Sequence, residues 1–398
     1  MRPVLRLKPK ADARRLRHGA PWAWADELVL DRRARALAPG SLAVLEDAER
    51  RPLGLGVATT ASKIALRLLD RDPSAEIDQA WFAGKIRAAQ ELRESLYDAP
   101  FYRLLHAEGD DLPGLIADRF GEVLVLQVNA RWLEDRLDAL LAACQEVTGA
   151  RTVLMNTASR ARAAEGLAEA EGEGPRVLAG QAPDAPVRVE MNGATYLADL
   201  IAGQKTGLFY DQRPNHRFAA SLARDKTVLD IFSHVGGFGL ACLARGAAHV
   251  TAIDASAAAL DLSRQGAEAM GAAERLSTRQ GDAFAVLEAL AGERFELVIA
   301  DPPAFAPSKA ALSQGLRAYE RTARLAAGLV TPGGVLILCS CSHAADLGKF
   351  RAACLRGIGR AGRVPRLIHT GFAGPDHPQH PSLSDTGYLK ALAFRLSP

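Results

Sequence analysis

The stretch TVLDIFSHVGGFG, residues 227–239, decides which fold the sequence predicts. It begins as a short apolar strand and runs into glycines, which let a backbone pass close to a ligand and start a helix whose N-terminal amides face it. From about Lys226 onward, near-continuous apolar strands alternate with helical segments. This alternation is typical of an α/β fold with a mostly parallel, doubly wound sheet that helices cover on both faces.

Two further parts precede this sheet. Residues 1–72 contain short apolar or alternating runs separated by Gly and Pro, which predicts a small β domain. Residues 73–190 mix helical and strand patterns, and their Gly- and Pro-rich segment 171–186 is interpreted as a loop or a domain linker. The third part, residues 191–398, contains the doubly wound sheet. The elements predicted for the middle part are a helix over 81–96, a hairpin turning at 120–121 and a helix over 132–148.

Composition and cysteine use exclude several classes of protein. The chain has 398 residues, 48% hydrophobic and 24% charged, so neither a disordered nor a collagen-like chain is expected. Five cysteines are an odd number without the spacing of a small secreted domain, which indicates a reducing compartment. The start lacks a signal-peptide pattern, and the long uncharged stretch 325–345 is interrupted by Pro and Gly. We therefore expect a cytoplasmic protein without a membrane partner.

The N-terminal residues are strongly basic. Met1 to Arg35 contains ten Arg and Lys against four acidic residues, a distribution that suits a phosphate backbone. A solvated, arginine-rich surface explains this charge about as well. Trp22 and Trp24 lie in the same region. We interpret them as core aromatics of a barrel, with an RNA contact as the alternative.

Three acidic residues follow successive strands of the predicted sheet, where ligands of such sheets bind. Asp230 ends the first strand, and Asp254, 24 residues further on, is placed to bind the hydroxyls of a ribose. Asp282 and Ala283 end the third strand, within reach of an adenine ring. Each of these acidic residues is a weak signal alone, since Asp after a strand is often a helix N-cap. Because the glycine spacing is not that of a dinucleotide site, the three together predict S-adenosylmethionine (SAM). The remaining contacts expected from the first strand end are Phe232, Ser233, Gly236, Gly237 and Phe238.

The fourth strand runs into ELVIADPPAFAPSK, residues 296–309. Two adjacent prolines end the ladder and stiffen the loop after Asp301, and a plain turn explains them as well as a site does. Beside the adenosyl marks, the loop resembles the Asp-Pro-Pro-aromatic element with which many methyltransferases hold a planar base. Phe305 is placed to stack on that base, an interaction of about 1–3 kcal/mol.

The fifth strand ends in Cys339, Cys341 and His343, which alternate onto one face. These are too few ligands for a structural zinc without a second cluster, so no metal is expected. Cys339 lies deeper in the strand and is interpreted as inert packing. Cys341 lies at the carboxyl end of the strand, opposite the fourth-strand loop, where a thiolate reaches a bound base. The cysteines interpreted as helical packing are Cys144, Cys242 and Cys354.

Over its whole length the chain resembles the PUA-domain-containing, SAM-dependent cytosine-5 methyltransferases of large-subunit (23S) ribosomal RNA. The resemblance implies a PUA-like RNA-binding barrel in residues 1–72, a central α+β domain in 73–190 and a Rossmann-like methyltransferase domain in 191–398. The motifs that carry it are RHGAPWAWADEL, RLLHAEGDDLPGLIADRFG, GQKTGLFYDQRPNHR, LDIFSHVGGFG, ADPPAFAPSK, CSCSH and GYLKALAFRL.

The resemblance also assigns roles. Cys341 would attack C6 of a cytosine while Asp301 shares or supplies a proton at N3, giving 5-methylcytosine. The second cysteine that often helps product release is absent from the fourth-strand loop, so the base that removes the C5 proton is not identified. His234 stands where the family often has an aromatic residue, and Asp111 where glycine is common. The further residues implied are Lys205, Thr206, Phe209, Asp211 and Ala255 at the cofactor, and Arg213, Pro302, Pro303, Phe305 and Lys309 at the RNA.

Other functions stay open at this stage. A related enzyme that methylates guanine N7 uses a similar loop but needs no cysteine on the fifth strand. A non-catalytic RNA-binding or ribosome-assembly protein with this fold is the second alternative, and hydride transfer is a distant third. The expected partner is large-subunit ribosomal RNA, with a homodimer as an open option.

Overall fold

The computed structural model describes residues 2–157, 162, 165–167, 174–203, 207–383 and 387–397. These residues divide into two compact units. The N-terminal unit comprises Met1–Ala182 with Asp376–Thr386, and the C-terminal unit comprises Pro183–Pro375 with Gly387–Pro398. Within the described ranges, no helix combines the length and the apolar character that crossing a membrane requires.

The first sheet of the N-terminal unit has five strands in the order β1-β3-β4-β5-β2. Only its β1–β3 pair is parallel. Two short helices pack beside it, and Asp12 and Asp31 cap them by accepting hydrogen bonds from first-turn amides. The small β domain predicted for this part is confirmed. Its elements are β1 Val4–Arg6, α1 Ala13–Arg17, β2 Trp22–Trp24, α2 Arg32–Arg35, β3 Ser41–Glu46, β4 Pro52–Ala58 and β5 Ile64–Asp70.

The tryptophans of β2 do not lie in the core. Trp24 is 38% exposed, and Trp22 is half-buried with its indole Nε1 donating to Glu108 Oε1 at 3.0 Å. The two rings meet edge to face with centroids 5.7 Å apart. The prediction of core aromatics is wrong, because Ala23 between them is the fully buried residue of β2 and the two tryptophans lie on the opposite face of the strand.

The second sheet has the strand order β10-β9-β8-β7-β6 and includes the predicted β7–β8 hairpin. The helix predicted over 132–148 is interrupted at Asp135 and Arg136, between α4 and α5. Residues 176–179, interpreted as part of a loop or linker, instead form β10, which pairs antiparallel with β9. The elements are α3 Gln79–Leu96, β6 Phe101–His106, β7 Leu115–Phe120, β8 Val123–Val128, α4 Arg131–Glu134, α5 Leu137–Thr148, β9 Thr152–Met155 and β10 Arg176–Ala179.

One apolar core connects the two sheets of this unit. Leu55, Val57 and Leu69 from the first sheet are buried in the same cluster as the inner side chains of β6, β7 and β8. Because the sheets share a core, the described residues form one compact unit here. The boundaries expected at residues 72 and 190 remain a prediction.

The C-terminal unit contains a two-stranded hairpin and a seven-stranded sheet. Its alternating strands and helices follow the sequence pattern closely, with Ser256, Asp282 and Asp346 capping three of the helices. The hairpin strands are β11 Val187–Met191 and β12 Ala194–Ala198. The sheet strands are β13 Thr227–Ile231, β14 His249–Asp254, β15 Leu276–Gln280, β16 Phe295–Ala300, β17 Val330–Ser340, β18 Val364–Gly371 and β19 Lys390–Ser397. The helices are α6 Arg213–Ser221, α7 Gly237–Ala244, α8 Ala257–Ala269, α9 Ala283–Ala289, α10 Leu312–Gly328 and α11 Leu347–Arg360.

The seven strands run in the order β15-β14-β13-β16-β17-β19-β18. The first five are parallel, and β19 pairs antiparallel with both β17 and β18. The predicted doubly wound, mostly parallel sheet is therefore confirmed. Strand order reverses between β13 and β16, which is where ligands bind in such sheets. Ile231 pairs with Ala300, and Ala300 with Leu338, so β13, β16 and β17 reach their carboxyl ends side by side.

Candidate active site at the carboxyl edge of the sheet

The loop that leaves β13 adopts an unusual backbone. Phe232 and His234 have φ angles of 62° and 50°, and Gly236 at the start of α7 has a φ of 86°. A non-glycine residue in this region costs roughly 1–3 kcal/mol, and such residues cluster at functional sites. The loop is held by Ser233 N donating to Ile253 O at 2.9 Å and His234 N donating to Asp254 Oδ2 at 2.8 Å. The strained turn is thus fixed against the end of β14.

Asp230 is fully buried directly before this loop. Its Oδ2 accepts a hydrogen bond from Gly239 N at 2.8 Å, and its Oδ1 has no hydrogen-bond partner. Burial, opposed by the Gly239 hydrogen bond and supported by the charge of Asp254, raises the pKa of the Asp230 carboxyl to about 7. Ser233 Oγ, also buried, has no partner either. Unpaired buried polar atoms are uncommon in native interiors, and at a strand end where ligands of such sheets bind they are available to a ligand.

A third buried atom of this kind lies on the segment before α6. Asp211 Oδ2 accepts from the Tyr388 hydroxyl at 2.7 Å, whereas Asp211 Oδ1 is buried without a partner. Phe209, two residues earlier, packs edge to face on His234 with ring centroids 5.2 Å apart. This contact brings the segment to the β13 loop, and the contact of Phe209 and Asp211 with the cofactor remains a prediction. Arg213 begins α6 and is half-buried, while Lys205 and Thr206 lie outside the described residues.

The ends of β14 and β15 differ from each other. Asp254 is half-buried, and its two carboxylate oxygens accept from His234 N and Ser256 N, both at 2.8 Å. Asp282 is exposed and caps α9 by accepting from Ala285 N at 3.0 Å. The simpler N-cap interpretation therefore accounts for the visible contact of Asp282. Ala255 is exposed after the end of β14, and Ala283, the first residue of α9, is buried in the core.

The start of α7 is closely packed. A Cβ added to Gly237 would lie 2.8 Å from two ring atoms of His216, so only glycine fits there without a shift. Phe238 is buried, and its ring meets the His216 ring at a centroid distance of 4.4 Å. In the described structure these two residues pack the helix start, and their contact with a cofactor remains a prediction.

The loop after β16 is anchored at both ends. Asp301 N donates to Ile231 O at 3.2 Å, which extends the pairing with β13 by one residue. Ala306 N donates to Ser342 Oγ at 3.0 Å, which ties the loop to the segment after β17. The Asp301 side chain is half-buried between these anchors. Within the loop, Pro302 is buried, and Pro303 and Lys309 are exposed.

Phe305 lies inside an aromatic cluster. Its ring centroid is 5.0 Å from that of Tyr319 and 6.2 Å from those of Phe232 and Phe284. The ring remains half-buried. Its visible role is to brace the loop after β16, and base stacking by Phe305 remains a prediction.

Cys341 follows the last residue of β17 and is half-buried, whereas Cys144, Cys242, Cys339 and Cys354 are buried. Burial raises the pKa of the Cys339 thiol well above its usual value, as expected for inert packing. The β16–β17 register ends with Ala300 opposite Leu338, and its continuation by one residue brings Asp301 level with Cys339, two residues before Cys341. Neighbouring strands lie about 5 Å apart and a strand rises about 3.3 Å per residue, so Asp301 and Cys341 are neighbours at one edge.

Sequence reasoning missed several buried partners of this edge. Ser342 Oγ shares a hydrogen bond of 2.7 Å with the Tyr319 hydroxyl, and Lys390 Nζ donates to Ser342 O at 2.7 Å. Tyr388 supports Asp211. Tyr388 and Lys390 belong to the terminal motif GYLKALAFRL, which the sequence marks as notable without indicating any role.

The residues of this edge fit SAM. Three buried polar atoms without partners, on Asp211, Asp230 and Ser233, surround the end of β13 at the point where strand order reverses. Carboxylate and hydroxyl oxygens suit the ammonium and hydroxyl groups of such a ligand. The fold and the site together define a SAM-dependent methyltransferase.

Comparison with known proteins agrees with the assignment to the SAM-dependent methyltransferases. Residues 102–395 match the family model of SAM-dependent methyltransferases, and residues 5–71 match a PUA-like domain. The chain belongs to the SAM-dependent methyltransferases that carry an N-terminal PUA-like domain, and SAM is its cofactor.

The curated relatives align along most of their length. A ribosomal RNA large subunit methyltransferase of Deinococcus radiodurans is 33% identical over 99% of this chain and 98% of its own length. The ribosomal RNA large subunit methyltransferase I of Aliivibrio fischeri is 34% identical over 86% of this chain and 87% of its own.

Two solved structures share the whole fold. One, described as a SAM-dependent methyltransferase from Streptococcus mutans, superposes with a TM-score of 0.79 at 18% identity, covering 99% of this chain and 100% of that one. Another, described as a methyltransferase in complex with SAH, gives a TM-score of 0.81 at 18% identity with the same coverage.

Proposed function

We propose that this protein forms 5-methylcytosine in large-subunit ribosomal RNA, with Cys341 as the nucleophile and SAM as the methyl donor. The observation that carries the proposal is the position of Cys341. It is the half-buried thiol among five cysteines, and it lies at the mouth of β17 beside the proline-stiffened loop of Asp301. The names of the curated relatives support ribosomal RNA as the substrate.

In the proposed reaction the Cys341 thiolate adds to C6 of the cytosine, forming an S–C6 bond. The electron pair of the C5–C6 double bond moves toward N3, where Asp301 shares or supplies a proton, and C5 becomes enamine-like. SAM supplies a methyl group on a positively charged sulfur, which would keep the electron pair of the broken S–CH3 bond and leave as a neutral thioether. After C5 has gained the methyl, its proton passes to a base, the C5–C6 double bond forms again, the thiolate leaves and N3 returns its proton to Asp301.

The RNA must present an accessible base, because a paired cytosine hides its C5 atom. Flipping it into the site costs a few kcal/mol. We assign Arg213, Pro303 and Lys309 to the surroundings of the flipped nucleotide, with Pro302 and Phe305 stiffening that wall. The exposed residues Arg32, Arg33 and Arg35 of α2 are candidates for the flanking phosphates. This substrate places the reaction in the cytoplasm.

The decisive experiment replaces Cys341 by Ala and measures methyl transfer to 23S ribosomal RNA. We expect turnover to fall by at least about 10³-fold, because the covalent route is lost, while the dissociation constant for SAM stays within about twofold. Cys339→Ala is the matched control, since it removes a buried thiol two residues earlier on the same strand. It should retain most activity.

Trapping tests the adduct itself. RNA containing 5-fluorocytidine keeps the S–C6 bond, because the fluorine at C5 is not released as a proton is. We expect a covalent complex with the wild type and with Cys339→Ala, and none with Cys341→Ala. A fully active Cys341→Ala enzyme that methylates guanine N7 would contradict the proposal. So would a chain that binds SAM and RNA without transferring a methyl group.

A further inference from the structure

Lys390 is a buried lysine in the central sheet. It is the first residue of β19, pairs with Ser340 of β17 and is 4% exposed. Lysine is almost never buried to this extent without partners, because its charge loses solvation. The cost indicates that something at this position needs an ammonium group.

The partners of the ammonium group are two carbonyl oxygens beyond the end of β17. Lys390 Nζ donates to Ser342 O at 2.7 Å and to Ala345 O at 2.8 Å. Both oxygens belong to the segment 341–345 that leaves the strand, and Cys341 is its first residue. The ammonium group therefore holds this segment at two points on either side of His343 and fixes its course.

We propose that Lys390 is a positioning residue for Cys341: its ammonium group holds the segment that carries the thiol and provides the positive charge that stabilises the thiolate. The thiolate forms when Cys341 releases its proton to solvent, and a nearby cation favours that charged form. The methylation part of this inference rests on the proposed function, whereas the thiol chemistry can be tested without RNA.

The charges around this position have opposing effects. Burial lowers the pKa of Lys390, and the nearby negative charges of Cys341 and Asp346 raise it. Asp346 is bound by Lys349 on the first turn of α11. Tyr319 on α10 also interacts with the Cys341 charge, and its own pKa is raised, chiefly by burial. Asp301 acts on neighbouring Cys339. Negative neighbours disfavour the thiolate, and Lys390 counteracts them.

The test measures the rate at which iodoacetamide alkylates Cys341 as a function of pH, with the modified peptide identified by mass spectrometry. In the wild type we expect a thiol pKa below the free-cysteine value of about 8.5. Lys390→Met keeps the length of the side chain and removes the charge. It should raise the Cys341 pKa by roughly one unit and slow alkylation at pH 7 by about tenfold. At high pH the variant should react at least as fast as the wild type, since a thiolate of higher pKa is more nucleophilic.

Two variants complete the set. Lys390→Arg keeps the charge and should restore at least part of the low pKa. Lys349→Met removes an exposed ammonium from the same region, and should move the profile by less than about 0.3 unit because solvent screens it. Thermal unfolding and SAM binding establish whether each variant is folded. If Lys390→Met does not fold, the pKa of Cys341 in the wild type and in Lys390→Arg still tests the inference.

A wild-type Cys341 that titrates at or above about 8.5, or a Lys390→Met profile identical to the wild type, would overturn the inference. Failure of the proposed function looks different. If the thiol titration depends on Lys390 but no 5-methylcytosine forms, the inference stands and the proposed function falls. If Cys341→Ala is inactive while Lys390→Met leaves the Cys341 titration unchanged, the proposed function stands and the inference about Lys390 falls.

Discussion

Each unit buries a set of polar side chains, and the two sets are built differently. In the N-terminal unit, Arg93 is fully buried and donates to both carboxylate oxygens of Asp110, at 2.6 and 2.7 Å. It also donates to the carbonyl oxygens of Arg103 and Asp376, at 3.0 and 2.9 Å. Arg103 in turn pairs with buried Asp118. We call these five residues the Arg93 network, and in it each charge meets an opposite charge or several hydrogen bonds.

The set in the C-terminal unit leaves atoms unpaired. Asp211 and Asp230 each have one carboxylate oxygen with a partner and one without, and the Ser233 hydroxyl has none. A buried polar group without a partner costs roughly 1–3 kcal/mol. We call Asp211, Asp230 and Ser233 the open set, because each of them keeps a buried polar atom available to a ligand. The saturated Arg93 network, by contrast, stabilises the fold on its own. We propose that this difference separates residues that maintain structure from residues that bind SAM.

Breaking the Arg93 network should have the largest effect. Arg93→Met leaves the charge of Asp110 buried without its cation, so the N-terminal unit should lose about 3–5 kcal/mol of unfolding free energy. Arg87→Met on the same helix is the matched control, because the exposed Arg87–Glu146 pair contributes at most about 0.5 kcal/mol. Urea unfolding followed by tryptophan fluorescence reports this unit specifically. All four tryptophans belong to it: Trp22, Trp24, Trp81 and Trp132.

In folded Arg93→Met protein, the affinity for SAM should stay within about twofold of the wild type, since the open set is untouched. A loss of stability below about 1 kcal/mol would mean that the Arg93 network is not a structural anchor.

Asp230→Asn tests the open set through pH, with an intermediate effect. The folded protein holds a proton on Asp230 up to about pH 7, because burial raises its pKa above the unfolded value of 3.8. Its stabilising contribution is complete below pH 3.8 and is lost as pH rises through about 7, where folding must bury a negative charge. Asn carries no such charge. Without SAM, the variant should therefore exceed the wild type in stability by about 1–3 kcal/mol at pH 8.5, and by much less at pH 5.

The measurement for Asp230→Asn is calorimetric unfolding at several pH values, with SAM affinity measured in parallel. Affinity should fall at least about tenfold, because one acceptor of the open set has become a donor. Asp261→Asn is the control: this exposed carboxylate has a lowered pKa, chiefly through its hydrogen bonds from Gln265 and Arg264, so its effect should not vary between pH 5 and 8.5. A stability difference for Asp230→Asn that is constant with pH would show that Asp230 is not protonated in the fold.

The sequence predicted most of the sheet but not the contacts that complete its edge. Apolar strands alternating with helices fix a parallel sheet, and therefore which residues come together at its carboxyl edge, because that pattern is local. The bond from Lys390 to Ser342 joins residues 48 positions apart, and no local signal gives its register. Asp376 lies 283 positions after Arg93 in the chain, in the sequence between β18 and β19, and belongs to the N-terminal unit. No periodicity of the sequence indicates that it joins the Arg93 network.

Local errors have local causes. Trp24 is exposed because Ala23, not the tryptophans, faces the core, and three residues of alternation do not indicate which face of a strand is buried. The departures at His234 and Asp111 have a backbone explanation, since both adopt left-handed φ values, of 50° and 57°. Asp and His tolerate this region better than most residues, so each can stand at such a position.

The smallest effects come from a pair of buried serines in the C-terminal unit. Ser342 Oγ accepts from Ala306 N at 3.0 Å and shares a 2.7 Å hydrogen bond with Tyr319, so Ser342→Ala should cost about 1–2 kcal/mol in unfolding free energy. Ser233 Oγ has no partner, so Ser233→Ala removes an unsatisfied group and leaves only a small cavity; the ligand-free protein should lose no stability and gain at most about 1 kcal/mol.

Saturating SAM should reverse the order of stability, so that Ser233→Ala becomes less stable than the wild type. If its hydroxyl binds the ligand, the variant should lose about five- to tenfold in affinity and gain correspondingly less stability from SAM than the wild type does. Titration calorimetry and thermal unfolding with and without SAM measure both quantities. Equal losses of ligand-free stability in the two serine variants, with unchanged SAM affinity in Ser233→Ala, would place Ser233 among the structural residues and remove it from the open set.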